Sequence, residues 1–243
     1  PRMWVHRPLD HDFAAADGSA ANLAYWGVPA RDITVSGIPV HPVFGRRKDR
    51  GRGRRDQGLQ GDRPVLLLLS GGFGVGPIEQ IFSGMLALEV AAEIMVVCGR
   101  NDVLRERLNR VAASPRHRVT IIGFTEAIDE LMAAADVVIS KPGGLTSAEV
   151  LCCGGAMLIV NPIPGQESRN ADFLLENGAA MKVGHLATLH YKLNTLLSSP
   201  RRLAQIKANA RRIARPQAAY EVAAKVLAML DVSPRRARRR SSP

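Results

Sequence analysis

The feature that most constrains this chain is a series of short, mainly aliphatic runs beginning after Arg63 and alternating with stretches of helical spacing. Val65–Leu69, Ile94–Cys98, Val119–Ile122, Val137–Ile139, Met157–Val160 and Ala180–Val183 read as strands, because they are short, evenly apolar and bounded by turn residues. Helices are expected near Pro77–Ala91, Asp102–Ala112, Ala127–Ala134, Thr146–Cys152, Glu167–Glu176, Ala187–Leu197, Arg201–Ala214 and Gln217–Leu230. A strand apolar on both faces must be covered on both, and a helix between consecutive strands makes them parallel. The expected fold is therefore α/β, a doubly wound, Rossmann-like parallel sheet. In such a sheet ligands bind beyond the carboxyl ends of the strands, which directs attention to the loops there.

Four of those loops carry chemistry. Ser70 to Pro77 follows the strongest strand; its glycines let backbone N–H groups approach an anion at a helix start, with Pro77 expected at the first helical position. It is neither a dinucleotide fingerprint, since Pro77 stands where a glycine is needed, nor a Walker loop, since no Gly-Lys-Ser/Thr follows. Ile122 to Thr125 ends the third strand with Gly123 and Phe124, which can set backbone groups and a ring against a planar base or simply pack. In the third loop, Ser140 to Glu149, Thr146 and Glu149 have the spacing of a capping box. The same first turn, behind Gly143 and Gly144, suits a phosphate, and Glu149 one turn in suits ribose hydroxyls; at this point both readings stand. In the fourth loop, Gln166, Glu167 and Asn170 stand at a helix start with donors and acceptors for several hydroxyls on one ring, although a glutamate there is also ordinary dipole compensation. Read together, the loops offer sites for an anion, a base, a ribose-phosphate and a sugar.

The segments SGGFGVGPIEQ, IGFT and KPGGLTSAEVLCCGGAMLIVNPIPGQESRNADFLLENGAA resemble the C-terminal, donor-binding domain of GT-B glycosyltransferases of family 28. Within it the resemblance is greatest to the branch of monogalactosyldiacylglycerol synthase and processive diacylglycerol glucosyltransferase, and it covers roughly residues 63–230. It implies a donor-binding set of Gly72, Phe73, Gly74, Gly123, Phe124, Thr125, Gly143, Gly144, Leu145, Thr146, Glu149, Gln166, Glu167 and Asn170. Gly123 and Phe124 would touch uracil, Gly144 to Thr146 the diphosphate, Glu149 the ribose, and Gln166 and Glu167 the hexose with Asn170 in support. The implied reaction is inverting transfer of a hexosyl unit from a UDP-sugar to a lipid hydroxyl, diacylglycerol first and an undecaprenyl-linked peptidoglycan precursor as the alternative. Helix dipoles would serve the leaving diphosphate, with no metal and no other cofactor. The general base is expected from an N-terminal domain. His6, His11, His41, His117, His185 and His190 sit in no pattern that marks one of them as the base.

The segment Val35 to Phe44 resembles the family's interdomain connection, so residues 1–44 are expected to be the remnant of an acceptor-binding domain. The chain opens at Pro1 with no initiator methionine and is expected to belong to something longer. Residues 45–62 read as a basic flexible linker, 63–230 as the nucleotide-sugar domain and 231–243 as a disordered arginine-rich tail. Charge enters here: residues 46–63 carry eight basic side chains against three aspartates, and the stretch from 231 carries five arginines against Asp231. Those two stretches hold nine of the eleven excess positive charges, leaving the globular body nearly neutral. Such arginines suit an anionic membrane surface, so the expected location is cytoplasmic, peripheral on the cytoplasmic face of a membrane. The competing class is a basic peripheral-membrane or nucleic-acid-binding module without catalysis. Nucleic acid is disfavoured because no aromatic residue interleaves with the arginines. A dehydrogenase is disfavoured by Pro77 and by the lack of an acidic residue ending the second strand. Three cysteines without C-x-x-C spacing suit reduced thiols, and no aliphatic run approaches the roughly 18 residues of a membrane span.

Overall fold

The computed structural model describes residues 5, 9–59, 61–71, 76–111 and 115–232. The chain divides into two compact units, residues 46–214 and a smaller one made of 1–45 with 215–243.

The larger unit is built on a six-stranded sheet: β3 Val65–Leu69, β4 Glu93–Val97, β5 Arg118–Ile122, β6 Val137–Ser140, β7 Ala156–Ile159 and β8 Ala180–Lys182. Their spatial order is β5-β4-β3-β6-β7-β8, and every neighbouring pair is parallel. The doubly wound expectation holds. The chain builds outward from β3 to β5, then returns to place β6 on the other side of β3, so the topological switch point lies between β3 and β6. Leu66, Leu67 and Leu68 of β3 are wholly buried, each worth about 2 kcal/mol of transfer free energy. Leu66 and Leu68 point into a cluster with Phe82 and Met85 of α3 Ile78–Leu86 and Leu193 of α8 Leu189–Leu197. Helices α4 Asp102–Arg110, α5 Ile128–Ala134, α6 Gly144–Cys152, α7 Gln166–Glu176 and α9 Pro200–Ile213 complete the layers.

Two boundaries differ from the sequence reading. Residues 45–62 are not a structureless linker, because Arg50–Asp56 form helix α2, capped by the Asp49 carboxylate accepting the Arg52 N–H at 3.0 Å. Its arginines are fixed by carboxylates of the sheet domain: Arg50 and Arg54 pair with Asp136, and the preceding Lys48 with Asp129. The second difference is at the far end, where α10 Ala218–Val232 belongs to the smaller unit and the sheet domain stops at Ala214.

In the smaller unit β1 Asp12–Ala14 and β2 Ile33–Val35 pair in parallel through α1 Asp17–Tyr25, a β-α-β step. Gly37, at φ +86°, has no room for a side chain: a Cβ there would lie 2.5 Å from that of Arg215. That close approach joins the segment before α10 to the residues after β2. The arginines of the tail, all after residue 232, lie outside the described residues.

Candidate functional site at the carboxyl edge of the sheet

All the loops singled out by sequence emerge at one edge, because every strand of the sheet is parallel. The β3 loop and the β6 loop flank the switch point. Gly72, Phe73 and Gly74 lie outside the described residues. Pro77 is the residue before α3 and not its first helical position. A Cβ built on Gly76 would lie 3.9 Å from Nδ2 of Asn161, so the β3 loop ends beside the β7 loop.

The β6 loop is built around an uncapped helix start. Gly143 is the residue before α6, extended at φ −62° and ψ 148°, and no side chain caps the helix. The capping box expected from Thr146 and Glu149 therefore does not form: the cap position is Gly143, three residues earlier, placing Thr146 within the first turn and Glu149 in the second. The N–H groups of Gly144, Leu145 and Thr146 have no intrahelical acceptor, as at any helix start, and carry the positive end of the dipole. Among the described residues a Cβ built on Gly143 would meet nothing within 4 Å, and Leu145 is exposed.

Glu149 is half-buried, and its carboxylate makes no hydrogen bond or ion pair with any described residue. Burial alone pushes its pKa above the ordinary 4.5. With the capping role removed, an acid withdrawn from water and left unpartnered one turn behind free N–H groups is suited to a ligand that offers hydroxyls.

The β7 loop is shaped by its own side chains. Gly165 before α7 takes φ +105°, which favours glycine. One oxygen of Glu167 accepts the Ile163 N–H at 2.7 Å, closing the loop and leaving its other oxygen available. Asn170 donates to the Pro142 carbonyl at 2.9 Å, tying α7 to the approach of α6. Gln166 is exposed at the first position of α7. The structure thus brings Gly143, Gly144, Glu149, Gln166, Glu167 and Asn170 onto two linked loops.

Gly123 and Phe124 end the edge strand β5. Phe124 is 61% exposed, so its ring lies outside the core, and the guanidinium carbon of Arg100 lies 5.1 Å from the ring centroid. Thr125 is used locally, its hydroxyl accepting the Ala127 N–H at 3.1 Å before α5. Sequence reasoning missed Arg100, which follows β4; the signal was its place on the same edge as the loops that were read. Three strand spacings, roughly 14 Å, separate β5 from β6, so a ligand touching both must lie extended across the edge.

Among the described residues no three His, Cys, Asp or Glu side chains gather as a metal site. None of the three cysteines is in a disulfide, and burial first, then Cys152, Asp129 and Glu149, push the Cys153 thiol up to about 12.

A six-stranded, parallel, doubly wound sheet with its switch point between β3 and β6 defines an α/β domain of the Rossmann-like class. The model of the glycosyltransferase family 28 C-terminal domain matches residues 67–225, and the chain belongs to that family. It is 31% identical over 208 residues to the processive diacylglycerol beta-glucosyltransferase of Bacillus pumilus, a match covering 86% of this chain and 54% of that protein. The enzyme of the same name from Bacillus cytotoxicus is 30% identical over 222 residues, covering 91% and 57%. The chain thus spans about half the length of the curated relatives it matches. Among solved structures, MurG of Acinetobacter baumannii aligns with a TM-score of 0.61 at 26% identity over 86% of this chain and 62% of that one. HepE of Anabaena, crystallised with UDP-glucose, shares the fold at a TM-score of 0.59 and 18% identity, over 91% of this chain and 65% of its own.

Proposed function

We propose that this chain is the donor-binding half of a glycosyltransferase that moves a hexosyl unit from a UDP-sugar to a lipid hydroxyl, diacylglycerol being the acceptor named by the relatives. The observation that carries the reading is Glu149: a desolvated carboxylate without an internal partner, held behind the free N–H groups of α6 at the switch point. In this reading Glu149 accepts hydrogen bonds from the ribose hydroxyls. The N–H groups of Gly144, Leu145 and Thr146 hold the diphosphate. Phe124, with Arg100 over its ring, supports the base beside Gly123, while Gln166 and the open oxygen of Glu167 face the hexose.

Transfer breaks the bond between the anomeric carbon and the diphosphate as the acceptor oxygen attacks, so negative charge grows on the leaving group. The α6 dipole and its N–H donors are positioned to stabilise that charge without a metal. A general base takes the acceptor proton, and the reading places it outside the carboxyl-edge loops. The site of action is the cytoplasmic face of a membrane, to which the protein attaches peripherally; no helix among the described residues is long and apolar enough to cross one. Calorimetric titration with UDP tests the reading: binding that persists in EDTA and weakens in Glu149→Ala is the expected result. No heat of binding, or binding that requires a divalent metal, counts against it.

A further inference from the structure

The opposite, amino edge of the sheet carries a cluster that the donor site does not use. Asp136, immediately before β6, accepts the Val65 N–H at 2.9 Å, Nη2 of Arg54 at 2.5 Å and Nζ of Lys207 at 3.1 Å, and also pairs with Nη2 of Arg50. One carboxylate thus faces three cations, leaving two positive charges uncompensated in a partly dry place, where Lys207 is 13% and Arg54 15% exposed. Burial first, and also Arg50 and Arg54, press the pKa of Lys207 down against the pull of Asp136. The other nearby acids are engaged elsewhere: Asp129 takes Lys48, Asp56 lies beside Arg52, and Asp49 caps α2.

The arginines have donors to spare. Nε and Nη2 of Arg50 and Arg54 are directed at Asp136 and the Ala134 carbonyl. Their Nη1 groups and the exposed Arg55 guanidinium donate to no described residue. Arg50, Arg54 and Arg55 line a depression of about 470 Å³ together with Leu59, while Gly51 and Gly61 contribute only backbone to its wall.

We propose that this depression binds a phosphate monoester, its oxygens taken by the free N–H groups of Arg50, Arg54 and Arg55. The charge matches, since a phosphate monoester carries about −1.5 to −2 near neutral pH and two uncompensated cations await it. The geometry matches too, because planar guanidinium forks fit phosphate oxygens in pairs. The depression is larger than a phosphate and has an apolar wall at Leu59, so it takes the ester's organic part as well. The ester is either free in solution or the headgroup of a membrane lipid.

The full chain is titrated with glycerol 3-phosphate, and in parallel floated with phosphatidylcholine vesicles with and without phosphatidic acid. Saturable binding in the first arm identifies a free ester and binding in the second alone a lipid headgroup; either supports the proposal. Arg55→Gln weakens that binding about tenfold, the loss of one charge-assisted contact. It leaves the urea midpoint nearly unchanged, since Arg55 is exposed and acts on the fold only through its charge near the Asp49 carboxylate. Glu149→Ala leaves this binding intact, so failure here and failure of the donor reading are separate results. No binding in either arm, or binding that Arg55→Gln leaves at full strength, overturns the proposal.

Discussion

Glu149 and Asp136 are both carboxylates withdrawn from water, at opposite edges of one sheet, and the protein treats them in opposite ways. Glu149 has no partner among the described residues, and burial raises its pKa. Burial also acts against ionisation of Asp136, but the Val65 N–H, Lys207 and Arg50 outweigh it and hold that carboxyl far below the ordinary range. The contrast teaches which polar groups serve the fold and which await a ligand. An acid satisfied several times over fixes structure, here joining α2, β3, β6 and α9. An acid desolvated and left alone costs stability, and such a cost is kept where a ligand repays it.

Breaking the amino edge has the largest expected effect. Asp136→Asn leaves Arg50, Arg54 and Lys207 without their counter-charge, and we expect a loss of about 3 kcal/mol of stability, read as a lower urea midpoint. UDP binding by the folded variant is unchanged. A midpoint equal to that of the parent chain would show that the three cations need no anchor and would remove one side of the comparison.

Glu149→Ala is the converse. It is expected to weaken UDP binding by about 2 kcal/mol, roughly 30-fold, the worth of hydrogen bonds to a charged group. Its unfolding midpoint stays level or rises, because a desolvated charge without a partner has been removed. Lower stability with unaltered UDP binding would place Glu149 with Asp136 as a structural acid.

This division was only partly legible in the sequence. The strands were, because mainly aliphatic runs have few alternatives: β3 spans Val65–Leu69 as expected, β4 and β7 are shifted by one residue, and β5, β6 and β8 differ by one residue at one end. The loops at the carboxyl edge followed from the parallel order. Helix α2 did not, because a run of arginine and glycine has no apolar period. It is held instead by pairs such as Arg54 with Asp136, 82 positions away in sequence, which no local pattern encodes. The role of Glu149 was undecided for a related reason. Thr146-x-x-Glu149 is a valid cap signature, and only the observed helix start, set by the glycines before it, shows that the signature is unused. Arg100 went unread because its loop has no glycine-rich pattern, although the fold lays its guanidinium over Phe124.

A smaller effect is expected where the carboxyl edge does contain a satisfied group. Asn170→Ala removes one part-buried side-chain hydrogen bond, that to the Pro142 carbonyl, at about 1 kcal/mol of stability. Because that bond aligns α7 with the start of α6, UDP affinity falls several-fold as well. An isothermal titration showing full affinity in this variant would detach Asn170 from the site and leave the two loops independently placed.

The smallest effect, in pH, tests the comparison through a third group. His117 is buried just before β5; its Nδ1 accepts the Ala92 N–H at 3.3 Å, and among the described residues its Nε2 has no hydrogen-bond partner. Burial pushes its pKa below the ordinary 6.5, against a pull from the Leu86 and Leu88 carbonyls, with Arg116 and Arg63 adding to the depression. The unfolded chain therefore takes up a proton before the folded one, so stability contributed by neutral His117 is full above about pH 6.5 and is lost as pH falls through the lower, folded value. Glu149 acts with the opposite sign: its folded pKa is raised, so protonating it on acidification relieves a cost. Denaturation midpoints measured between about pH 7.5 and 5.5 should therefore fall modestly in the parent chain. They should change little in His117→Gln. Equal slopes in the parent and His117→Gln would mean that burial of the ring does not set the pH dependence, and the comparison would lose its third group.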